Sequence, residues 1–140
     1  MSTRLKEKME IILKVFEALA EESVKGTPIV VEGKKDVEAL RALGVEGTVV
    51  TVKTGGKSFL DAVSEIEKMG VSEVILFLDF DRRGREGTKS LKQSLERTKI
   101  KPNDKFWRLL SALVGKEIQY VESLTTYLRT WRLKIGASPN

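Results

Sequence analysis

The sequence predicts an α/β domain whose mainly parallel sheet of about four strands carries helices on both faces. Three observations predict it. Short apolar, β-branched runs alternate with amphipathic stretches of helical period, the pattern of right-handed βαβ units. The runs are apolar throughout rather than at every second residue, as strands buried on both faces require. Glycine and other turn residues separate the segments at short intervals, and 140 residues suit one ordinary core.

Leu5, Met9, Ile12, Phe16 and Leu19 recur at three- and four-residue steps, which predicts an amphipathic helix over residues 3–22. Gly26, Thr27 and Pro28 break it. Ile29 to Glu32 then reads as a buried strand ended by Gly33, and Asp36, Val37, Leu40 and Leu43 continue on helical spacing until Gly44. Thr48 to Val52 is the second strand and runs into a basic turn, Lys53-Thr54-Gly55-Gly56-Lys57. Ser58 suits a helix N-cap, with Phe59, Val63, Ile66 and Met69 as the buried side and Gly70 as the stop. Val74 to Asp81 is the strongest strand. Arg82 to Thr98 reads as a loop leading into a basic helix, stopped before Pro102. Beyond it, Phe106 to Val114 reads as helix, Ile118 to Val121 as a final strand and Thr125 to Lys134 as a closing helix. Trp107, with Phe106 and Leu110, reads as a core residue, and Trp131, between Arg129 and Arg132, as a packing residue, with base stacking or an oligomer contact the alternatives. The expected organisation is an N-terminal helix over 1–25, one domain over 26–136 and a polar tail over 137–140.

The chain has no Cys and no His, which excludes disulfides, thiol catalysis, Ser-His-Asp triads and nearly all zinc sites. A metal would have to be held by oxygen, which favours hard ions such as Mg²⁺ or Mn²⁺. No apolar run approaches the ~20 residues of a membrane span, and the charged N-terminus does not read as a secretory signal. A cytoplasmic protein that does not enter membranes is therefore expected.

The net charge is +5, and it is unevenly spread. Arg82 to Lys105 holds nine basic and three acidic residues, so the rest of the chain is nearly neutral. That is the pattern of a polyanion binder, and equally that of a solvated helix face.

The acids fall at informative places. Glu32 ends the first strand, and Asp79 and Asp81 end the third. Residues two apart in a strand face the same way, so Asp79 and Asp81 are expected to converge while Phe80 turns to the other face. Open parallel sheets bind ligands beyond the carboxyl ends of their strands, where chain order reverses. There Glu32, Asp79 and Asp81 could share one cation, whose charge would offset their repulsion. Strand ends are also simply wet, which is the plainer account. Lys53 and Lys57 flank Gly55-Gly56 at the same sheet edge, where a basic turn cradles phosphate or merely opens a helix. Arg82, Arg83, Arg85, Lys89 and Lys92 follow the acidic pair and suit phosphate contacts.

The segments IVVEGKKDVEAL (Ile29 to Leu40) and ILFLDFDRRGREG (Ile75 to Gly87) resemble the two motifs of the Toprim domain. That domain is shared by topoisomerases, bacterial-type primases, OLD-family nucleases and the 5S rRNA maturase ribonuclease M5. The resemblance is strongest to small stand-alone Toprim proteins and covers Pro28 to Glu122. It implies a Rossmann-like fold. It also implies that Glu32 acts as general acid or base or helps hold metal, and that Asp79 and Asp81 bind Mg²⁺, with Mn²⁺ an alternative. Asp36 would support the metal through water, and Gly33 and Gly84 would be turns where backbone comes close to the site.

The function this implies is Mg²⁺-dependent processing of nucleic acid, DNA or RNA, by phosphodiester cleavage or transfer in the manner of a small nuclease. The alternative is a non-catalytic DNA- or RNA-binding module that works with a partner. A homodimer or a protein partner is the further association expected. Full topoisomerase action would need a tyrosine nucleophile on another domain. A receiver-like phosphoacceptor domain would need its acidic pair after the first strand, and the order here is the reverse.

Overall fold

The structure, a computed structural model, describes residues 3–52 and 58–134. Lys53 and Lys57, with the turn between them, and the tail over 137–140 lie outside the described residues. The elements in chain order are α1 (Thr3–Val24), β1 (Ile29–Val31), α2 (Lys34–Ala42), β2 (Val49–Thr51), α3 (Phe59–Lys68), β3 (Glu73–Leu76), α4 (Arg82–Leu95), β4 (Lys101–Asn103), α5 (Lys105–Val114) and α6 (Leu124–Lys134). A 3₁₀ turn, Val121–Ser123, leads into α6.

The four strands form one sheet in the order β2-β1-β3-β4, every pair parallel. Val30 sits opposite Val50 on one side and Leu76 on the other. The period-two alternation of strand side chains splits the core into two layers. Ile29, Val31, Ile75 and Phe77 face α1, α2, α5 and α6, packing with Ile12, Phe16, Leu40, Leu110 and Leu128. Val30, Val50, Val74, Leu76 and Leu78 face α3 and α4, packing with Val63, Ile66, Leu91 and Leu95. The α1 stripe read from the sequence covers the sheet directly, with the Phe16 ring edge-on to Phe77 at 6.3 Å. Ser58 caps α3 by accepting the Asp61 N–H, and Gly70 ends the helix with φ +68°, a conformation costly for any other residue.

Three expectations are corrected. The fourth strand is Lys101–Asn103, not Ile118–Val121. It is an edge strand of polar residues. Lys101 donates its N–H to the Ser72 carbonyl at 2.9 Å, so the alternation leaves Pro102, which has no N–H, facing the open edge. The segment before the 3₁₀ turn does not join the described sheet: Phe80 N–H donates to its Gln119 carbonyl at 2.7 Å just beyond β3, and Ile118 and Val121 pack into the core. The third strand stops at Leu76 rather than Asp81. Phe80 packs edge-on to Phe77, at 6.4 Å, in the same layer, so strict alternation does not run on through Asp79 to Asp81. Finally, the loop before the basic helix lies over residues 77–81 and not beyond Arg82: α4 begins at Arg82 because Asp81 caps it.

Candidate metal and nucleic-acid site

β1 and β3 are neighbours, and β1 sends the chain to β2 on its far side, so chain order reverses between them. Glu32 directly follows β1. Backbone pairing continues past the end of β3, with Phe77 N–H donating to the Val30 carbonyl at 2.8 Å, and carries Asp79 to the same rim. The Glu32 and Asp79 side chains hydrogen-bond to each other. Both are buried, as is Asp36 from the first turn of α2, with 8%, 7% and 6% exposure. The three line a cavity of about 330 Å³ together with Gly33, Lys34, Lys35, Tyr120 and Glu122.

Electrostatics at this rim are unusual. Burial, above all, raises the Asp79 carboxyl, the hydrogen bond with Glu32 raises it further, and the Asp36 and Glu32 charges add to both, so its pKa stands at about 8. One contact opposes: Val121 N–H donates to Asp79 Oδ1 at 2.8 Å. Asp36 is also raised, first by burial and then by the Glu32 and Glu122 charges. It accepts the Gly33 N–H at Oδ2, 3.0 Å away, and the Glu122 N–H, and both hold it down. Two consecutive amides at the start of the 3₁₀ turn thus serve two acids, the arrangement helix N-termini offer to anions.

Asp81 is not in this cavity. Its Oδ1 accepts the Gly84 N–H at 2.8 Å as the N-cap of α4. Gly84 in turn packs under the site: a Cβ there would collide with the Asp79 carbonyl. That carbonyl accepts a bond from Trp107 Nε1 at 3.3 Å, so the core role read for Trp107 reaches the site backbone. Gly33 is different. Its backbone also comes close, lining the cavity and donating its N–H to Asp36, but it is extended and a Cβ would meet nothing, so packing tight enough to exclude a side chain is a property of Gly84.

The basic residues lie along the first turns of α4. Arg82 pairs with Glu86 at 3.1 Å and Arg85 donates to the Phe80 carbonyl at 3.1 Å, while Arg83 and Lys89 are exposed. Lys92 is held by Asp104 at 3.2 Å, a carboxylate shared with Arg108. Tyr120, Glu122, Lys34 and Lys35 were not singled out by the sequence reasoning. Lys34 and Lys35 stood inside a recognised motif, whereas Tyr120 stood in a segment read as a strand and Glu122 just beyond it.

Among the described residues no three carboxylates stand close enough together to hold an ion as they are arranged. The chemistry of the donor set nonetheless fits Mg²⁺: it is all oxygen, and Mg²⁺ takes one or two carboxylates and fills its shell with water and phosphate oxygens. Glu32 and Asp79 supply that pair.

A doubly covered parallel sheet with acids at its switch point is a doubly wound α/β fold of the Rossmann-like kind, and the sequence says which. The chain belongs to the Toprim domain family, whose sequence profile matches residues 26–103. It is similar to a UPF0292 protein of Methanocaldococcus jannaschii, 40% identical over 126 residues that cover 89% of this chain and 95% of that one. UPF0292 proteins of Methanosarcina acetivorans (35% identical, covering 95% and 90%) and Archaeoglobus fulgidus (38%, covering 85% and 93%) are similar along their length. Among solved structures, a putative protein from Aquifex aeolicus superposes with a TM-score of 0.66 at 25% identity, covering 79% of this chain and 94% of that one. At family level the Toprim domain carries metal-dependent, nucleic-acid-related function. No described helix is long and apolar enough to cross a membrane.

Proposed function

We propose that the chain processes nucleic acid by Mg²⁺-dependent phosphodiester cleavage or transfer, as a small nuclease does. One observation carries this reading. Buried Glu32 and Asp79 meet beyond adjacent parallel strands with Asp36 beside them, and the charges acting on Asp79 are like its own. A cation relieves that repulsion where a shared proton otherwise must. Glu32 and Asp79 would hold the ion, with Asp81 joining from the α4 cap and Asp36 supporting through water. When bound, the ion polarises a phosphoryl oxygen and stabilises charge on the attacking or leaving oxygen.

The chain's own residues do the rest. Glu32 either completes that metal site or takes or returns a proton at the reacting oxygen. Arg82, Arg83, Arg85 and Lys89 bind flanking phosphates, with Lys53 and Lys57 assigned the same role from the sequence. The N-terminus of α4 adds its partial positive charge. The test is incubation of purified chain with labelled DNA and RNA in Mg²⁺, Mn²⁺ or EDTA. Cleavage that needs the divalent ion and falls at least ~100-fold in Asp79→Asn supports the reading; intact substrate in every arm sinks it.

Retarded but uncut substrate would instead support a second reading, a metal-dependent binding module completed by a partner. One observation favours it: Asp81 is engaged in capping α4, leaving two carboxylates in direct contact.

A further inference from the structure

Tyr120 is exposed on the rim of the acidic cavity, and no aromatic ring among the described residues pairs with it. Its exposure is 46%, against 9% for Tyr127, whose ring meets Trp131 at 6.1 Å. Among the described residues the Tyr120 side chain has no hydrogen bond, ion pair or ring partner. Its backbone is nonetheless held tightly against the acid-bearing strand. Gln119 accepts the Phe80 N–H at 2.7 Å, Val121 donates to Asp79 Oδ1 at 2.8 Å, and the Tyr120 carbonyl accepts the Ser123 N–H at 3.0 Å. The backbone that carries the ring is therefore anchored beside Asp79, while about half of the residue is open to solvent and no ring among the described residues pairs with it. Exposed Lys34 and Lys35 line the same cavity.

We infer that Tyr120 is a stacking platform, and that the cavity takes an unpaired nucleotide rather than a base within a duplex. This rests on the nucleic-acid reading above and names its substrate class. An aromatic ring can stack on a base only where the base face is free, which in a duplex is covered by its neighbours. Stacking of this kind tolerates any base, because every base has a π-face. The carboxylates repel phosphates except where a cation intervenes, so the lysines are the cavity's own phosphate partners and the ring its apolar one. Together they supply what a nucleotide needs: a flat contact for the base and positive charge for the backbone.

The experiment is fluorescence anisotropy of the full chain with labelled 12-nucleotide single strands of DNA and RNA and with the matching duplexes, in Ca²⁺ to hold off cleavage. Wild type, Tyr120→Phe and Tyr120→Ala are compared, with circular dichroism confirming the fold. Tyr120→Ala is expected to weaken single-strand binding by about 5- to 150-fold. Tyr120→Phe should stay within about 2-fold of wild type, since stacking needs the ring and not the hydroxyl. Duplex binding should be weaker than single-strand binding in wild type and unchanged in both variants. Equal loss in Phe and Ala, equal loss for duplex and single strand, or no loss in Ala overturns the inference while nucleic-acid binding stands. Absence of binding to either form by wild type overturns the underlying reading as well.

Discussion

Gly84 lies directly beneath Asp79, close enough that a single methyl group on Gly84 would occupy the space of the Asp79 carbonyl. Its own N–H is spent on Asp81, so one residue braces both members of the acidic pair by different atoms. Gly84→Ala should therefore lower stability by about 1–3 kcal/mol or more, since the obstacle is backbone and cannot rotate away. It should also weaken Mg²⁺ binding by shifting Asp79. Gly33→Ala, where a Cβ meets open space, should cost less than about 1 kcal/mol. Urea unfolding of the two variants side by side checks this, and equal losses would contradict it.

The raised Asp79 carboxyl links stability to pH. Its folded pKa of about 8 stands above the ordinary aspartate value of 3.8, so between those limits the folded state binds more protons than the unfolded one. Metal-free stability should then fall as pH rises from about 4 to about 8, and the upward shift of Asp36 acts in the same direction. Thermal unfolding across that range is the measurement. Asp79→Asn, which keeps an oxygen for the Val121 N–H, should flatten the slope; an unchanged slope would place the titration elsewhere.

Mg²⁺ competes with that proton. Its affinity, measured by calorimetry, should rise with pH over the same window and be largely lost in Glu32→Gln and Asp79→Asn. Affinity independent of pH and of both substitutions would remove the ion from this site.

Asp81 has two separable roles, cap and candidate ligand. Asn caps helices as well as Asp does, so Asp81→Asn should keep the unfolding midpoint near wild type while weakening Mg²⁺ binding. Asp81→Ala should lose about 1 kcal/mol of stability besides. If Asp81→Asn binds Mg²⁺ like wild type, Asp81 is a cap alone.

Phosphate contacts along α4 predict a salt signature. The double variant Arg83→Ala, Lys89→Ala removes two exposed charges, and the slope of log affinity against log salt should shrink by roughly 2 on duplex DNA and somewhat less on single strands. No change in slope would move the interface off this helix.

The sheet and its helices were legible where physical chemistry acts locally. Ile29 to Val31, Val49 to Thr51 and Val74 to Leu76 are β-branched and apolar, and buried parallel strands need little else. β4 was not legible, because a Lys-Pro-Asn edge strand is defined by its neighbour and not by its own residues. The opposite error befell Ile118 to Val121, whose apolar character suggested a strand although its last amide serves Asp79. The meeting of Glu32 and Asp79 followed from the rule for strand ends in open parallel sheets. The alternation argument for Asp81 did not carry through, since the strand had already ended and the chain was turning into α4. No periodicity signals Tyr120 or Glu122, which reach the cavity only through the tertiary course of the chain.

The amides of Val121 and Glu122 answer carboxylates that belong to the segment matched by the Toprim profile, yet both lie well beyond its last residue. The site is thus not modular. A chimera made by transplanting 26–103 alone would carry the acids without the donors that make their burial tolerable, and grafting this chemistry onto another scaffold means moving the 3₁₀ turn before α6 along with it.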